Sequence, residues 1–118
     1  MKKVMVFGVF DGLHEGHKEF LKEAKNYGEY LIIVVAQDHI VSHLKGHEPK
    51  LNVADRFAHL EKIDGVDEVV IGDHEMATWE VVKKYQPDVL VFGYDQDVLR
   101  ESFLKWLAEM EYEVFKIP

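Results

Sequence analysis

Short apolar runs alternate with amphipathic stretches along the whole chain. Nearly continuous apolar runs are typical of parallel strands that are buried on both faces, and they predict strands over residues 3–7, 30–36, 68–71 and 88–92. Residues 112–117 alternate instead and are predicted to form an edge strand. Between the predicted strands, apolar residues recur at intervals of three and four, as on one face of a helix. The predicted helices cover residues 15–27, 38–44, 52–63, 77–85 and 98–110, with Asp38 and Asn52 as candidate N-caps.

This alternation predicts an α/β protein with a five-stranded, mostly parallel sheet. With 118 residues, 47% of them hydrophobic and 31% charged, the chain is expected to be a single domain over residues 1–118. The formal net charge of −8 argues against a nucleic-acid surface, although local donors could still hold a nucleotide. No apolar run is long enough to span a membrane, and there is no cysteine for disulfides or thiol catalysis. A cytoplasmic location is therefore expected.

The ten residues Gly-Val-Phe-Asp-Gly-Leu-His-Glu-Gly-His at positions 8–17 carry most of the candidate chemistry. They lie between the first strand and the first helix, where open α/β sheets bind phosphate because the first N–H groups of the helix are unpaired. If the helix begins near Gly16, His14 and His17 can point at one anion. No serine or cysteine adjoins them, so the imidazoles are expected to stabilise charge on phosphate oxygens during transfer. Gly8 and Gly16 are expected to let phosphate approach closely. The alternative is a structural turn with two surface histidines.

The same ten residues resemble the G-x-F-D-x-x-H-x-G-H signature of the cytidylyltransferase-like nucleotidyltransferases, the HIGH-motif enzymes. This resemblance implies a Rossmann-like three-layer sandwich that transfers a nucleoside monophosphate to a phosphate acceptor and releases pyrophosphate. Relatives often carry threonine at position 9, so a hydroxyl contact is absent at Val9 while a backbone N–H contact remains. The nucleotide-binding residues implied within the motif are Gly8, Val9, Phe10, His14, Glu15, Gly16 and His17.

Residues 38–49 resemble a segment of the archaeal-type FAD synthetases and of the related glycerol-phosphate cytidylyltransferases, in which a lysine-bearing loop closes on the triphosphate. The resemblance implies a catalytic role for Lys45, with Lys50 as second choice. A solvent-exposed loop lysine is the alternative. Arg56 matches an arginine of the same relatives, and it is expected either to bind a phosphate of the nucleotide or to form a surface ion pair.

Residues 87–96 resemble the P-D-x-x-x-x-G-x-D-Q segment of the archaeal FAD synthetases, whose aspartate lies in the nucleotide pocket. Gly93 allows a tight turn beside a ligand, and Asp95 can accept hydrogen bonds from ribose hydroxyls. The alternative for Asp95 is a turn-capping carboxylate. The first and fourth strands are expected to flank the point where the strand order reverses. Both loops would then line one crevice.

The reaction favoured by resemblance is ATP plus FMN giving FAD, with a divalent cation, Mg²⁺, bridging the phosphates. The resemblance also implies a homodimer that binds neither nucleic acid nor membrane. The runner-up is a cytidylyltransferase that uses CTP and glycerol 3-phosphate or a similar alcohol phosphate, but Asp64 stands where that branch often has arginine. Relatives also carry a Ser/Thr-rich phosphate-binding segment with no counterpart before Pro118. Either the chain is shortened or its triphosphate site is incomplete, so a non-catalytic nucleotide-binding domain remains a third possibility.

Three further histidines, His39, His43 and His47, are spaced by four and would align on a helix as a candidate metal face. Gly46 and Pro49 are expected to end the helix before His47, and neither carboxylate nor cysteine completes an obvious ligand set. We therefore predict no metal site formed by protein side chains alone.

Overall fold

The computed structural model describes residues 1–13, 15–75, 80–93 and 113–117. Its strands are β1 (Lys3–Gly8), β2 (Tyr30–Val35), β3 (Glu68–Ile71), β4 (Val89–Gly93) and β5 (Glu113–Ile117). Its helices are α1 (Glu15–Lys25), α2 (Asp38–Lys45), α3 (Val53–Glu61) and α4 (Glu80–Tyr85). The predicted helix over residues 98–110, and the first part of the one over 77–85, lie outside the described residues.

The strands pair in the order β3-β2-β1-β4-β5, and neighbouring strands are parallel. Val6 of β1 is in register with Ile33 of β2 on one side and with Val91 of β4 on the other. The chain therefore leaves β1 toward one edge of the sheet and later returns to the opposite side. The predicted α/β class with a parallel sheet is confirmed for β1 to β4, and so is the reversal of strand order between β1 and β4.

Alternate residues of each strand contribute to two cores on opposite faces of the sheet, because successive side chains of a strand point in opposite directions. One core joins Val4 and Val6 to buried residues of α1 and α3. The other joins Met5 and Phe7 to α4. Helices thus cover both faces, which confirms the predicted three layers. None of the helices in the described part of the chain is long and apolar enough to cross a membrane.

Local capping explains where α2 and α3 begin and end. The Asn52 side chain accepts a hydrogen bond from the Asp55 N–H at 2.8 Å, which confirms it as the N-cap of α3. Asp38 does not cap α2: Gln37 occupies the N-cap position, and Asp38 is the first helical residue. The predicted cap is wrong because the Asp38 carboxylate is engaged by a distant arginine, described below. Gly46 ends α2 with a φ of +78°, a left-handed conformation that glycine adopts without strain.

Candidate active site

The loop between β1 and α1, residues 8–13, is here called the motif loop. It connects Gly8, the last residue of β1, to the start of α1 at Glu15, so the motif occupies the strand-to-helix turn that the sequence predicts. Phe10 has a positive φ of 53°, which is uncommon for a residue with a side chain. Its ring is only 5% exposed and packs with the core beneath the loop. Burial of this ring compensates for the unfavourable backbone conformation.

Gly8 is required by the motif loop itself. A Cβ added at Gly8 would lie 2.5 to 3.0 Å from three atoms of the Phe10 ring. The sequence predicts that this glycine makes room for phosphate, whereas the structure fills the space beside its α-carbon with an aromatic ring. Phe10, which folds back over Gly8, thus excludes a Cβ at this position, while a phosphate contact through the Gly8 backbone stays a prediction.

The first turn of α1 presents part of the predicted phosphate site. His17 is half-buried, and its ring packs edge-on against Phe10 with 5.5 Å between the ring centroids. Glu15 and Gly16 are the first two residues of the helix and are exposed at its positive end. His14 lies outside the described residues. Phe10 thus links the conformation of the motif loop to the placement of the His17 imidazole.

Asp11 ties the motif loop to the connection between α2 and α3, residues 46–52. One carboxylate oxygen accepts the Lys50 N–H at 2.7 Å and the other accepts the Leu51 N–H at 2.8 Å. Burial raises the pKa of Asp11, but these two hydrogen bonds and the charges of Arg56 and Lys50 outweigh it and hold the pKa below its usual value of 3.8. No role was predicted for Asp11 from the sequence. Its place inside the ten-residue motif was the only signal available.

Arg56 is fully buried, at 0% exposure, and its guanidinium makes four hydrogen bonds to protein oxygens. Its Nη1 donates to the backbone oxygens of Val9 at 3.0 Å and Ala36 at 2.7 Å. Its Nε donates to the Leu51 oxygen at 3.0 Å, and Nη2 pairs with Asp38 at 2.6 Å. The expected surface ion pair is wrong for Arg56, because its side chain is buried and only that of its partner Asp38 is partly exposed, at 38%. This geometry also does not support the expected phosphate contact, because four of the five guanidinium N–H groups already bind protein.

Lys45 is the last residue of α2 and is exposed. Its helix follows β2 directly and therefore starts at the carboxyl edge of the sheet, where the motif loop also lies. The Ala36 N–H donates to the Gly8 carbonyl at 3.0 Å, which joins the two chain segments at this edge. Lys50 is exposed as well, and its backbone is held by Asp11. The structure thus brings the lysine-bearing segment to the edge that carries the motif.

The end of β4 lies beside the end of β1. Val6 pairs with Val91, and each strand ends two residues further on, at Gly8 and at Gly93. The chain therefore leaves β4 at the same edge of the sheet as the motif loop, at the point where the strand order reverses. Asp95 lies outside the described residues.

The spaced histidines do not assemble into one cluster. The ring of His39 packs against that of His74, with 4.6 Å between centroids, and its Nε2 contacts the His74 carbonyl oxygen. His43 is exposed, and His47 lies beyond the end of α2 at Gly46, as the sequence predicts. Within the ranges that the structure describes, no three His, Cys, Asp or Glu side chains converge as metal ligands would.

The sequence model of one family, described as cytidylyltransferase-like, matches residues 5–115. The chain belongs to the cytidylyltransferase-like family. Its curated relatives include the FAD synthase of Thermococcus sibiricus, which is 39% identical over 120 residues, and that of Pyrococcus abyssi, which is 42% identical over 118 residues. Each alignment covers 98% of this chain and 80% of the relative. The expected family resemblance is confirmed, and this cytidylyltransferase-like protein is a nucleotidyltransferase.

Two solved structures resemble this cytidylyltransferase-like chain. A lipopolysaccharide core biosynthesis protein from Thermoplasma volcanium GSS1 superposes with a TM-score of 0.85 and 33% identity, covering 100% of this chain and 97% of that one. A pantoate–β-alanine ligase from Francisella tularensis superposes with a TM-score of 0.68 and 13% identity, covering 99% and 59%. The second likeness concerns the fold alone. Together they confirm the predicted Rossmann-like architecture.

The start of α1, whose N-terminal end carries a partial positive charge, and His17 in its first turn lie at the same edge of the sheet as the start of α2, the helix that carries Lys45. Donors fixed at a helix start stabilise charge that develops on phosphate oxygens, because they need no reorganisation during the reaction.

Proposed function

We propose that the protein is an FMN adenylyltransferase, which transfers AMP from ATP to FMN, forms FAD and releases pyrophosphate. The observation that carries this proposal is the identity of about 40% to FAD synthases over 98% of the chain. We further propose that residues 1–118 form a single nucleotidyltransferase domain. The motif loop at the reversal of strand order supports the proposal, because open α/β sheets bind nucleotides at this point.

In the proposed reaction, a phosphate oxygen of FMN attacks the α-phosphorus of ATP in line with the leaving group. The new oxygen–phosphorus bond forms while the bond between the α-phosphorus and the bridging oxygen breaks, and pyrophosphate carries away the electron pair. His14 and His17 donate hydrogen bonds to the phosphate oxygens as charge develops, and Lys45 stabilises the departing pyrophosphate. The proposed nucleotide-binding groups are those of Gly8, Val9, Phe10, Glu15, Gly16, Gly93 and Asp95.

We propose that a divalent cation, Mg²⁺, enters with the substrate and is held by its phosphates. Two carboxylates, Asp11 in the motif loop and Asp38 at the start of α2, support this arrangement because the protein already engages them: Asp11 binds backbone N–H groups and Asp38 binds Arg56. When bound, such an ion neutralises charge on the phosphates.

The direct test is steady-state turnover of His14→Ala and His17→Ala, with His59→Ala on the exposed face of α3 as matched control. FAD formation and pyrophosphate release are measured with ATP and FMN. We expect kcat to fall about 10²- to 10³-fold in each of the first two variants, the range found when one preorganised donor is removed, and to stay unchanged in the control. Near-normal rates in both variants contradict the assigned role.

A substrate panel separates the proposed reaction from its alternatives. Wild-type protein is supplied with ATP or CTP, and with FMN or glycerol 3-phosphate, and pyrophosphate is measured. Release with CTP and glycerol 3-phosphate alone would identify a cytidylyltransferase. Nucleotide binding without release in any combination would identify a non-catalytic domain.

The proposed assembly is a cytoplasmic homodimer that binds neither nucleic acid nor membrane. The formal charge of −8 supports the last part, because an acidic surface repels phosphate backbones and anionic headgroups. Light scattering coupled to gel filtration tests the dimer, and a monomeric mass at micromolar concentration contradicts it.

A further inference from the structure

We propose that Asp11, Asp38 and Arg56 form a positioning unit, here called the loop anchor, that holds the lysine-bearing segment against the motif loop. In this role Arg56 supports the site from within the protein. The inference rests on the proposed function for the role of Lys45 in transfer. The structural link itself rests only on contacts among described residues.

Arg56 connects three separate chain segments through one buried guanidinium. It binds the Val9 oxygen in the motif loop. It binds Ala36 and Asp38 at the start of α2, and the Leu51 oxygen after α2 has ended. Lys45 lies between these last two attachment points in the sequence. Both ends of the segment that carries the lysine are therefore fixed to the same side chain, which also holds the motif loop.

Asp11 adds a second attachment between the same segments. It receives the N–H groups of Lys50 and Leu51, one on each carboxylate oxygen. Leu51 is thus bound from both sides, because its N–H donates to Asp11 and its carbonyl accepts from Arg56. Since Asp11 lies inside the motif loop, a shift of the α2–α3 connection has to break bonds to the motif itself.

The burial of Arg56 decides between a positioning role and a phosphate contact. The side chain has no exposed surface, and its charge is compensated by Asp38 rather than left for a ligand. Rates of group transfer depend steeply on geometry, and a misplacement of about 1 Å can cost roughly 10²-fold in rate. A unit that holds Lys45 relative to the motif loop is therefore expected to act on kcat more than on nucleotide affinity.

The test compares Asp11→Asn with Asp67→Asn. Asparagine has one acceptor oxygen, and its NH₂ group would face a backbone N–H, so Asp11→Asn loses one of the two attachments. Asp67 is a matched control, because it also accepts a backbone N–H, from Leu31 at 2.7 Å, and a second bond from Lys25 at 2.6 Å. Leu31 lies near the start of β2, at the opposite edge of the sheet from the motif loop.

Three quantities are measured in both variants: hydrogen exchange of the Lys50 and Leu51 amides, the Kd for ATP, and kcat for pyrophosphate release with ATP and FMN. We expect Asp11→Asn to lose protection at the amide that is left without an acceptor and to lower kcat about 10- to 100-fold, with Kd changed less than about threefold. Asp67→Asn should keep the protection of these two amides and keep kcat. A matched loss of kcat in the two variants, or unprotected amides in the wild type, overturns the proposal.

A conservative change at Arg56 tests separately whether the planar guanidinium, with N–H groups that point in several directions, is required. Arg56→Lys keeps the positive charge beside Asp38 but cannot reach three carbonyl oxygens at once. We expect a folded protein with lowered kcat and faster exchange at Leu51, and a kcat equal to the wild type overturns the proposal. If the wild type forms no FAD, the proposed function fails. The loop anchor is then supported or overturned by amide exchange over residues 46–51 in the same variants.

Discussion

Replacing Gly8 by alanine tests whether the Phe10 ring determines the shape of the motif loop. The added Cβ would lie 2.5, 2.7 and 3.0 Å from three ring atoms, whereas carbon atoms in contact are usually about 3.5–4.0 Å apart. The ring therefore has to move by about 1 Å. Because the ring is buried and packs edge-on against His17, we expect its displacement to move that imidazole as well.

The expected loss of stability follows from overpacking, which costs about 1–3 kcal/mol when a methyl group is forced into a packed site. For 118 residues, an unfolding entropy of about 2.1 cal/mol/K per residue gives roughly 0.25 kcal/mol/K in total. The predicted fall in Tm is therefore about 4–12 °C. A shift of His17 by about 1 Å is expected to lower kcat by up to about 10²-fold at temperatures where the variant stays folded.

Gly28→Ala is the matched control, because its Cβ would lie 2.7 Å from both the Lys2 carbonyl oxygen and a Val4 methyl group. Gly28 precedes β2 and lies at the opposite edge of the sheet from the motif loop. Tm is measured by calorimetry. The kcat for pyrophosphate release is measured at 25 °C. We expect both variants to lose stability but only Gly8→Ala to lose turnover. A Gly8→Ala variant with unchanged Tm refutes the overpacking, and equal kcat in the two variants refutes the link to His17.

Two further predictions concern stability. The pKa values of Asp11 and Asp67 are both held below 3.8, so their contribution to stability is fully present above that pH and is lost as the pH falls through the lowered values. The urea concentration at the midpoint of unfolding, measured between pH 2 and 7, should fall only below pH 3.8. A rise in stability on acidification contradicts the lowered pKa values of these two carboxyls. Asn52→Ala removes the cap that accepts the Asp55 N–H and should cost about 1 kcal/mol in urea unfolding, whereas no change contradicts the cap.

Much of the architecture is determined by the sequence alone, because strand and helix patterns are local. The four residues of β3 are those predicted, β1 ends one residue later and β2 one residue earlier than predicted, and β4 is shifted by one residue. The cap at Asn52 and the end of α2 at Gly46 were also predictable, since each depends on a residue type and its immediate neighbours. The position of the motif between β1 and α1 follows from the same local pattern.

The connections between the loops around the motif arise only when the chain is folded. Arg56 and Val9 are 47 residues apart, and Asp11 and Lys50 are 39 apart, so no periodicity or local spacing indicates that they bond. The space beside Gly8 likewise depends on where a buried aromatic ring folds back. Burial and hydrogen-bond partners arise when distant segments pack together. For that reason the residue types of the site were recognisable in the sequence, whereas the role of Arg56 as an internal support was not.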